Sequence, residues 1–183
     1  MALGAMILTG GASSRMGSDK AQALWQGVRA VDRVADLAQQ CGARPVITVG
    51  GGDYGHPFVA DDAENAGPVG GVIAGARILA QGGCARALIL AVDAPTLEVA
   101  DLQMLLAEPG PGAAFEGLHL PMVLDIAALP VEAVAGWPLA RLAEHAGLRR
   151  IACPAERIDR IRGANTPAEQ ASLLHRLENR RDG

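Results

Sequence analysis

Arg15, Lys20, Asp61 and Asp93 are the charged side chains whose surroundings in the sequence point to chemistry. Arg15 and Lys20 close a loop of glycine and small hydroxyl residues that runs from Gly10 to Lys20 (GGASSRMGSDK). Gly10, Gly11 and Gly17 allow positive φ and let a ligand come close to the backbone amides. Successive amide donors facing one concavity attract a phosphate, and the adjoining cations neutralise it. The spacing is not G-x-x-x-x-G-K-[ST], because Ser18 and Asp19 separate Gly17 from Lys20, and it contains no G-x-G-x-x-G. A plain strand-to-helix turn has the same glycines and serines, so it is the two cations that favour the anion site.

Asp93 ends the apolar run Ala85 to Val92 and precedes Pro95, which exposes it at a strand end. Two roles are open for it. One is a ligand for Mg²⁺, which takes carboxylate oxygen together with substrate phosphates; the other is an N-cap for the helix after Pro95. Asp61, followed by Asp62, is either a solvated pair member or a carboxylate accepting the amino and imino donors of guanine. His56, His119, His145 and His175 show neither metal-ligand spacing nor a paired carboxylate. No G-x-S-x-G occurs, and Cys41, Cys84 and Cys153 lack local activating groups, so covalent catalysis has no support. Amide donors, Arg15, Lys20 and a metal on Asp93 remain. That set suits transfer at a phosphate, where positioning and charge stabilisation supply the catalysis.

The elements that must position these groups alternate between strand and helix. Leu3 to Thr9, Pro45 to Val49 and Ala85 to Val92 are continuous apolar runs, as in parallel strands buried on both faces. Pro57 to Ala60 is a shorter strand that delivers Asp61. Ala21 to Trp25 is an extended piece ending at a Gln26-Gly27 turn. From Val28, the residues Val31, Val34, Leu37, Ala38 and Cys41 repeat at helical spacing, with Gly42 as C-cap. A helix opens at Gly67-Pro68 and reaches Gln81, with Pro68 in its first turn; Gly70 and Gly71 there suggest close packing. Helices are also expected over Leu97 to Leu106 and Trp137 to Ala146. A last one begins near Pro167, with Thr166 as N-cap and Glu169 as capping-box partner. Ala113 to Glu116 and Leu118 to Leu124 read as paired strands around Gly117, and Arg149 to Cys153 as another.

The expected fold is therefore α/β, a three-layer α/β/α sandwich with a mainly parallel sheet, Rossmann-like. In such sheets ligands bind beyond the carboxyl ends of the strands. The Gly10 to Lys20 loop, Asp61 and Asp93 all lie at such ends. A length of 183 residues fits one domain. Its nucleotide-binding half would be about 1–107 and its acceptor-binding half about 108–183, joined at Glu108 to Gly112.

Half of the residues are hydrophobic but only 3% aromatic, and the net charge is −4. A base-stacking surface and a global field attracting nucleic acid or acidic membrane are both excluded by those values. An anionic substrate must be held by local cations, which points to a small ligand. Three well-separated cysteines without C-x-x-C fit a reducing compartment. With no basic residue before Arg15 and no apolar run of spanning length, a cytoplasmic protein is expected.

The motifs, taken together, resemble a known family. Leu8-Thr9-Gly10-Gly11, Ser14-Arg15-Met16-Gly17 and Asp19-Lys20-Ala21 are similar to L-x-G-G-x-S-S-R-M-G-x-D-K-A, the signature of the molybdenum cofactor guanylyltransferases in the nucleotidyltransferase superfamily. Gly67-Pro68-Val69-Gly70-Gly71, Val92-Asp93-Ala94-Pro95 and Asn165-Thr166-Pro167 follow in family order, over nearly the whole chain. The resemblance implies that GTP reacts with the terminal phosphate of molybdopterin, releasing pyrophosphate. It implies that Leu8, Thr9, Gly10 and Gly11 hold base and ribose through backbone groups. Arg15 and Lys20 would stabilise the triphosphate, Asp93 would hold Mg²⁺, Asp61 would read guanine, and Gly70 would line the nucleotide pocket. Asn165 would face the acceptor. The related cytidylyltransferases usually have alanine in place of Gly10 or Gly11, so the doubled glycine leans toward guanine.

Two departures touch the acceptor side: the first asparagine of the family's N-x-N-T-P is Gly163, and the family's H-P element is only His119-Leu120-Pro121. Three alternatives remain: a cytidylyltransferase, a nucleotidyltransferase for another sugar or cofactor phosphate, and a non-catalytic nucleotide-binding partner of cofactor assembly. A delivery protein for the pterin is a further expected partner.

Overall fold

The computed structural model describes residues 1–10, 19–60, 67–164 and 166–179. Its centre is β1 (Leu3–Leu8), whose side chains alternate between two apolar layers. Ala5 and Ile7 face α1 (Ala30–Gln40) and α3 (Val99–Leu106), whereas Met6 and Leu8 face α2 (Gly67–Gln81) and α4 (Leu139–His145). A strand covered on both faces has no side for polar residues, which is why β1, β4 (Val46–Val49) and β6 (Arg86–Ala91) read as unbroken apolar runs.

These strands belong to one seven-stranded sheet in the order β5-β4-β1-β6-β8-β7-β9. β1 pairs in parallel with β4 and with β6, so that Ile7 lies beside Thr48 on one side and Leu90 on the other. β5 (Phe58–Val59) adds in parallel outside β4. Beyond β6, β8 (Met122–Asp125) runs antiparallel to both β6 and β7 (Gly112–Phe115), and β9 (Arg149–Ile151) is parallel to β7. The mainly parallel three-layer sandwich expected from the sequence is thus the fold observed. The chain leaves β1 through α1 toward β4, and leaves β6 through α3 toward the opposite edge. β1 and β6 are parallel neighbours whose connections lead to opposite sides of the sheet, the arrangement at which a ligand crevice forms beyond the carboxyl ends of the strands.

Several elements differ in their bounds from the sequence pattern. Lys20–Gln22 is a short 3₁₀ turn. β2 (Leu24–Trp25) and β3 (Val28–Arg29) then form a hairpin about Gln26 and Gly27, both at positive φ, the geometry that matches hairpin twist. Pairing of Val28 with Trp25 delays α1 to Ala30. Close packing against α2 occurs at Gly75, a position the sequence pattern did not mark, where a Cβ would stand 2.9 Å from the Met6 sulfur. The last helix, α6 (Pro167–Asn179), has the capping box read from the sequence: Glu169 N–H donates to Thr166 Oγ1 (3.2 Å) and Thr166 N–H to Glu169 Oε2 (3.0 Å).

One helix was not visible in the pattern. α5 (Ile158–Arg162) is only five residues long and carries three charges, too short for an apolar period. Tertiary contact holds it in place. Asp101, fully buried on α3, accepts from Arg160 Nε (2.9 Å) and Nη2 (2.7 Å), and also from the Glu98 amide (3.0 Å). The Thr96 hydroxyl donates to the Arg160 carbonyl at 3.0 Å. A buried carboxylate with this many donors needs all of them, and they fix α5 beside the loop that follows β6. Among the described residues no helix is long and apolar enough to cross a membrane.

Candidate active site at the crevice between β1 and β6

The loop after β6 and the turn that follows the β1 loop meet at the mouth of the crevice. Lys20 Nζ stands 3.5 Å from Asp93 Oδ2. The Asp93 side chain is 24% exposed, and its burial pushes the carboxyl above its ordinary range against the opposing pull of the Lys20 charge. A partly desolvated carboxylate beside one cation still favours further positive charge. Asp93 does not cap a helix, since α3 starts at Val99 with Glu98 in the N-cap position. The N-cap role weighed from the sequence is thus not the one Asp93 takes in the fold.

Backbone contacts fix Asp93 from three sides. Val92 N–H donates to Leu8 O across the crevice (3.3 Å), and Arg33 Nε on α1 donates to Pro95 O (3.3 Å). Ala164 N–H donates to Asp93 O at 2.9 Å, which places the segment after α5 on the Asp93 backbone. Gly163 makes that approach possible. With φ 76° and ψ −173° it occupies a region essentially reserved for glycine, and a Cβ there would stand 2.8 Å from the Asp93 carbonyl carbon. The backbone at this position therefore calls for glycine in this chain.

Lys20 is positioned by Asp19, whose Oδ1 accepts the Ala21 amide at 3.0 Å and so caps the 3₁₀ turn. The same oxygen accepts the Tyr54 hydroxyl at 3.2 Å. In the sequence Asp19 stands out only as part of the family signature and Tyr54 not at all, because Tyr54 lies 35 positions from Asp19. Leu8 is buried at the end of β1, and Thr9 is tied to β4: its amide donates to Val49 O (2.9 Å), its hydroxyl to Val49 O (3.1 Å) and to Gly50 O. Gly10 is exposed just beyond, and Gly70 is half-buried in the first turn of α2. Lys20, Asp93 and the end of β1 are thus brought together. Gly11, Arg15, Asp61 and Asn165 lie outside the described residues.

The loop after β4 is clamped to α1. Arg29 Nε and Nη2 grip both oxygens of Asp32 (2.7 and 2.9 Å), Arg29 Nη2 also donates to Tyr54 O (3.0 Å), and His56 Nε2 lies 2.9 Å from Asp32 Oδ1. His145 likewise meets Glu132 at 3.1 Å, so His56 and His145 both have carboxylate partners that the linear sequence does not reveal. The Arg29 bond, with His56 assisting, holds the Asp32 carboxyl below its ordinary range. A lowered folded value means stability present above the unfolded value and lost as pH falls through the folded one. Asp32→Asn should lower Tm at pH 7 by a few degrees, for a loss on the order of 1 kcal/mol. The gap to wild type should close toward pH 3 in calorimetric scans. A gap that stays constant over that range would mean the clamp stabilises by packing alone.

Asp93 also lines a cleft of about 350 Å³, whose other walls include Leu97, His119, Leu120, Ile161 and Arg162. It is formed by the β7–β8 connection, which is longer than the tight turn expected around Gly117, and by α5. Arg150 Nη1 holds that connection by donating to Leu118 O at 3.1 Å. The Arg162 side chain is half-exposed and pairs loosely with Glu169 at 3.5 Å. Cys41, Cys84 and Cys153 are free thiols, each pushed up by burial and so poorly suited to act as nucleophiles.

The donor set fits Mg²⁺. This ion is commonly held by one or two carboxylates together with substrate phosphates and water. Asp93 offers one partly desolvated carboxylate at the crevice mouth.

The family described as the MobA-like NTP transferase domain matches residues 5–157. A molybdenum cofactor guanylyltransferase of Xanthomonas euvesicatoria pv. vesicatoria (strain 85-10) is 32% identical over 180 residues, covering 93% of each chain. Among solved structures, a nucleotidyl transferase from Methanothermobacter thermautotroptrophicus superposes with a TM-score of 0.72 at 15% identity, covering 97% of this chain and 98% of that one. Molybdopterin-guanine dinucleotide biosynthesis protein A from Archaeoglobus fulgidus superposes with a TM-score of 0.68 at 15% identity, covering 96% and 98%. The solved structures share the fold, and the sequence matches extend the likeness to the loops that carry Lys20 and Asp93. On these grounds the chain belongs to the MobA-like NTP transferase family.

Proposed function

We propose that this nucleotidyltransferase moves GMP from GTP to the terminal phosphate of molybdopterin in the molybdenum cofactor. The observation that carries the reading is the position of Asp93, which stands 3.5 Å from Lys20 and also lines a cleft walled by the β7–β8 connection and α5. A group transfer between two substrates needs two adjoining sites that share the reacting phosphate. The likeness to a molybdenum cofactor guanylyltransferase over 93% of the chain supports this choice of substrates.

In this reading an oxygen of the acceptor phosphate attacks the α-phosphorus of GTP. The bond from that phosphorus to the bridging oxygen of the β-phosphate breaks, and the electron pair leaves with pyrophosphate. Lys20 and Arg15 neutralise the charge gathering on the leaving group, which is where fixed cations lower the barrier most. Asp93 and the substrate phosphates would hold Mg²⁺, which supplies further charge neutralisation when bound. Leu8, Thr9, Gly10 and Gly11 would face base and ribose, Asp61 the guanine edge and Gly70 the nucleotide pocket. Asn165 would stand at the acceptor, close in sequence to Ala164 on the Asp93 carbonyl. Free thiols fit a reducing, cytoplasmic setting, where a partner delivering the pterin would act.

Thermal stabilisation by GTP, CTP, ATP and UTP with Mg²⁺ tests the base. At a hundred times Kd, binding to the folded state adds about 2.7 kcal/mol, a rise in Tm of roughly 5–10 °C. GTP should give the largest rise; equal or larger stabilisation by CTP would sink the guanine assignment. Arg162 tests the acceptor half. Arg162→Ala should raise the KM for the pterin about tenfold, the order of one charge-assisted hydrogen bond. The KM for GTP should not move, and a change in that value instead would put Arg162 on the nucleotide.

A further inference from the structure

Tyr54 sits where two otherwise independent parts of the site are joined. It lies on the loop after β4, outside every motif of the family signature, and only 6% of it is exposed. Its two polar ends are held differently. Arg29 Nη2 donates to the backbone carbonyl at 3.0 Å, while Arg29 itself grips Asp32 on α1. At the other end the phenolic hydroxyl donates to Asp19 Oδ1 at 3.2 Å. Gly51, at φ 68°, presses on that hydroxyl: a Cβ there would stand 2.8 Å from it and 3.1 Å from Thr9 Oγ1. The ring therefore spans from the amino end of α1 to the residue that caps the Lys20 turn.

We propose that Tyr54 is a positioning residue for Lys20. Acting through Asp19, it holds the ammonium at the crevice mouth where a triphosphate or pyrophosphate is bound. The inference rests on the nucleotidyl-transfer reading for what Lys20 meets, but not on the identity of base or acceptor. Several features fit the role. Asp19 Oδ1 is shared between the Ala21 amide and the Tyr54 hydroxyl, so the tyrosine bond orients the carboxylate that caps the turn. Lys20 is the first residue of that turn, and it carries its charge on four rotatable bonds. Fixing the turn restricts where that long side chain starts from. Burial, with Asp19 reinforcing it, raises the Tyr54 hydroxyl above its ordinary range, so the group remains a donor at working pH. The clamp among Arg29, Asp32 and His56 fixes the other end of the span.

A double-mutant cycle tests the coupling, with inorganic tripolyphosphate as the probe because it reports the Lys20 site without base or pterin. Tyr54→Phe keeps the ring and removes only the hydroxyl. It should weaken tripolyphosphate binding, measured by calorimetry, about five- to tenfold, with Tm within about two degrees of wild type. Lys20→Ala should weaken binding further, and Tyr54→Phe added to it should change nothing more, since its effect passes through Lys20. Asp19→Asn, which keeps the accepting oxygen, should bind nearly as wild type, whereas Asp19→Ala should resemble Tyr54→Phe. A purely structural tyrosine would weaken the Lys20→Ala protein by the same factor as the wild type, and that additivity would overturn the proposal. So would the absence of tripolyphosphate binding to the wild type. Failure of the guanylyltransferase reading would show elsewhere, as wild-type protein that binds tripolyphosphate but transfers no GMP to the pterin.

Discussion

Asp93→Asn is expected to lower nucleotidyl transfer by at least about a hundredfold, the order seen when one group stabilising transition-state charge is removed. The fold should be no less stable for it. Burial raises the Asp93 carboxyl above its ordinary range in the folded protein despite Lys20 beside it. A folded value above the unfolded one means that the native state binds the proton more tightly, so stability falls as pH rises between the two values. The cost of holding the charge is fully present above the folded value. Asparagine has the same shape and no charge, so it removes that cost. Lys20 loses its partner, but its side chain is 32% exposed and water replaces the pairing at little expense. Tm at pH 7.5 should match or exceed that of wild type, and any excess should vanish below about pH 4, where both side chains are neutral. Calorimetry beside a pyrophosphate-release assay separates the two effects. Retained activity would remove Asp93 from the chemistry, and a large drop in Tm would mean that the carboxylate is a structural anchor.

Gly163→Ala should harm stability and activity together. The conformation at Gly163 is disfavoured for any side chain by about 1–3 kcal/mol, and overlap with the Asp93 carbonyl adds about as much again. The sum corresponds to a fall in Tm of roughly 5–15 °C in chemical or thermal denaturation. Relief can come only by moving Ala164 off the Asp93 carbonyl, or by moving Asp93 itself, so transfer should fall with kcat reduced more than the KM for GTP. A variant with unchanged Tm would show that the segment after α5 has room to shift. An asparagine here would meet the Asp93 backbone, so its absence gives no support to a protein that binds nucleotide but has lost turnover.

The parts of the site that were legible in sequence are those generated by local rules. Apolar runs with no polar alternation announced β1, β4 and β6, and a residue that ends such a run stands at the carboxyl end of a strand. That placed the loop closed by Lys20, and Asp93, at carboxyl ends of strands before the strand order was known. The capping box of Thr166 and Glu169 was readable because its two bonds close within three residues. The β2–β3 hairpin was half-read: Gln26 and Gly27 marked its turn, but pairing of Val28 with Trp25 displaced the start of α1.

What escaped was made by contacts between distant segments. α5 has too few residues to show a period, and it exists because Asp101, fully buried on α3, collects the guanidinium of Arg160 from 59 positions away. Tyr54 and Asp19 have no motif in common, and His56 found its carboxylate only when the loop after β4 folded back on α1. The cleft beside Arg162 required the β7–β8 connection and α5 to meet, neither of which the pattern had drawn correctly.

Taken alone, the sequence determined the layer architecture and the kind of chemistry at the strand ends, because strand burial and glycine-rich loops follow from residue type and spacing. Tertiary structure decided which of those ends meet. It set Asp93 beside Lys20 and in the wall of a cleft, and it turned Gly163 from a missing ligand into the residue that lets the chain lie on Asp93. The physical reason is one of range. Period and capping act within a turn or two of chain, whereas the burial that shifts a carboxyl, and the approach of one backbone to another, depend on segments that only folding brings together.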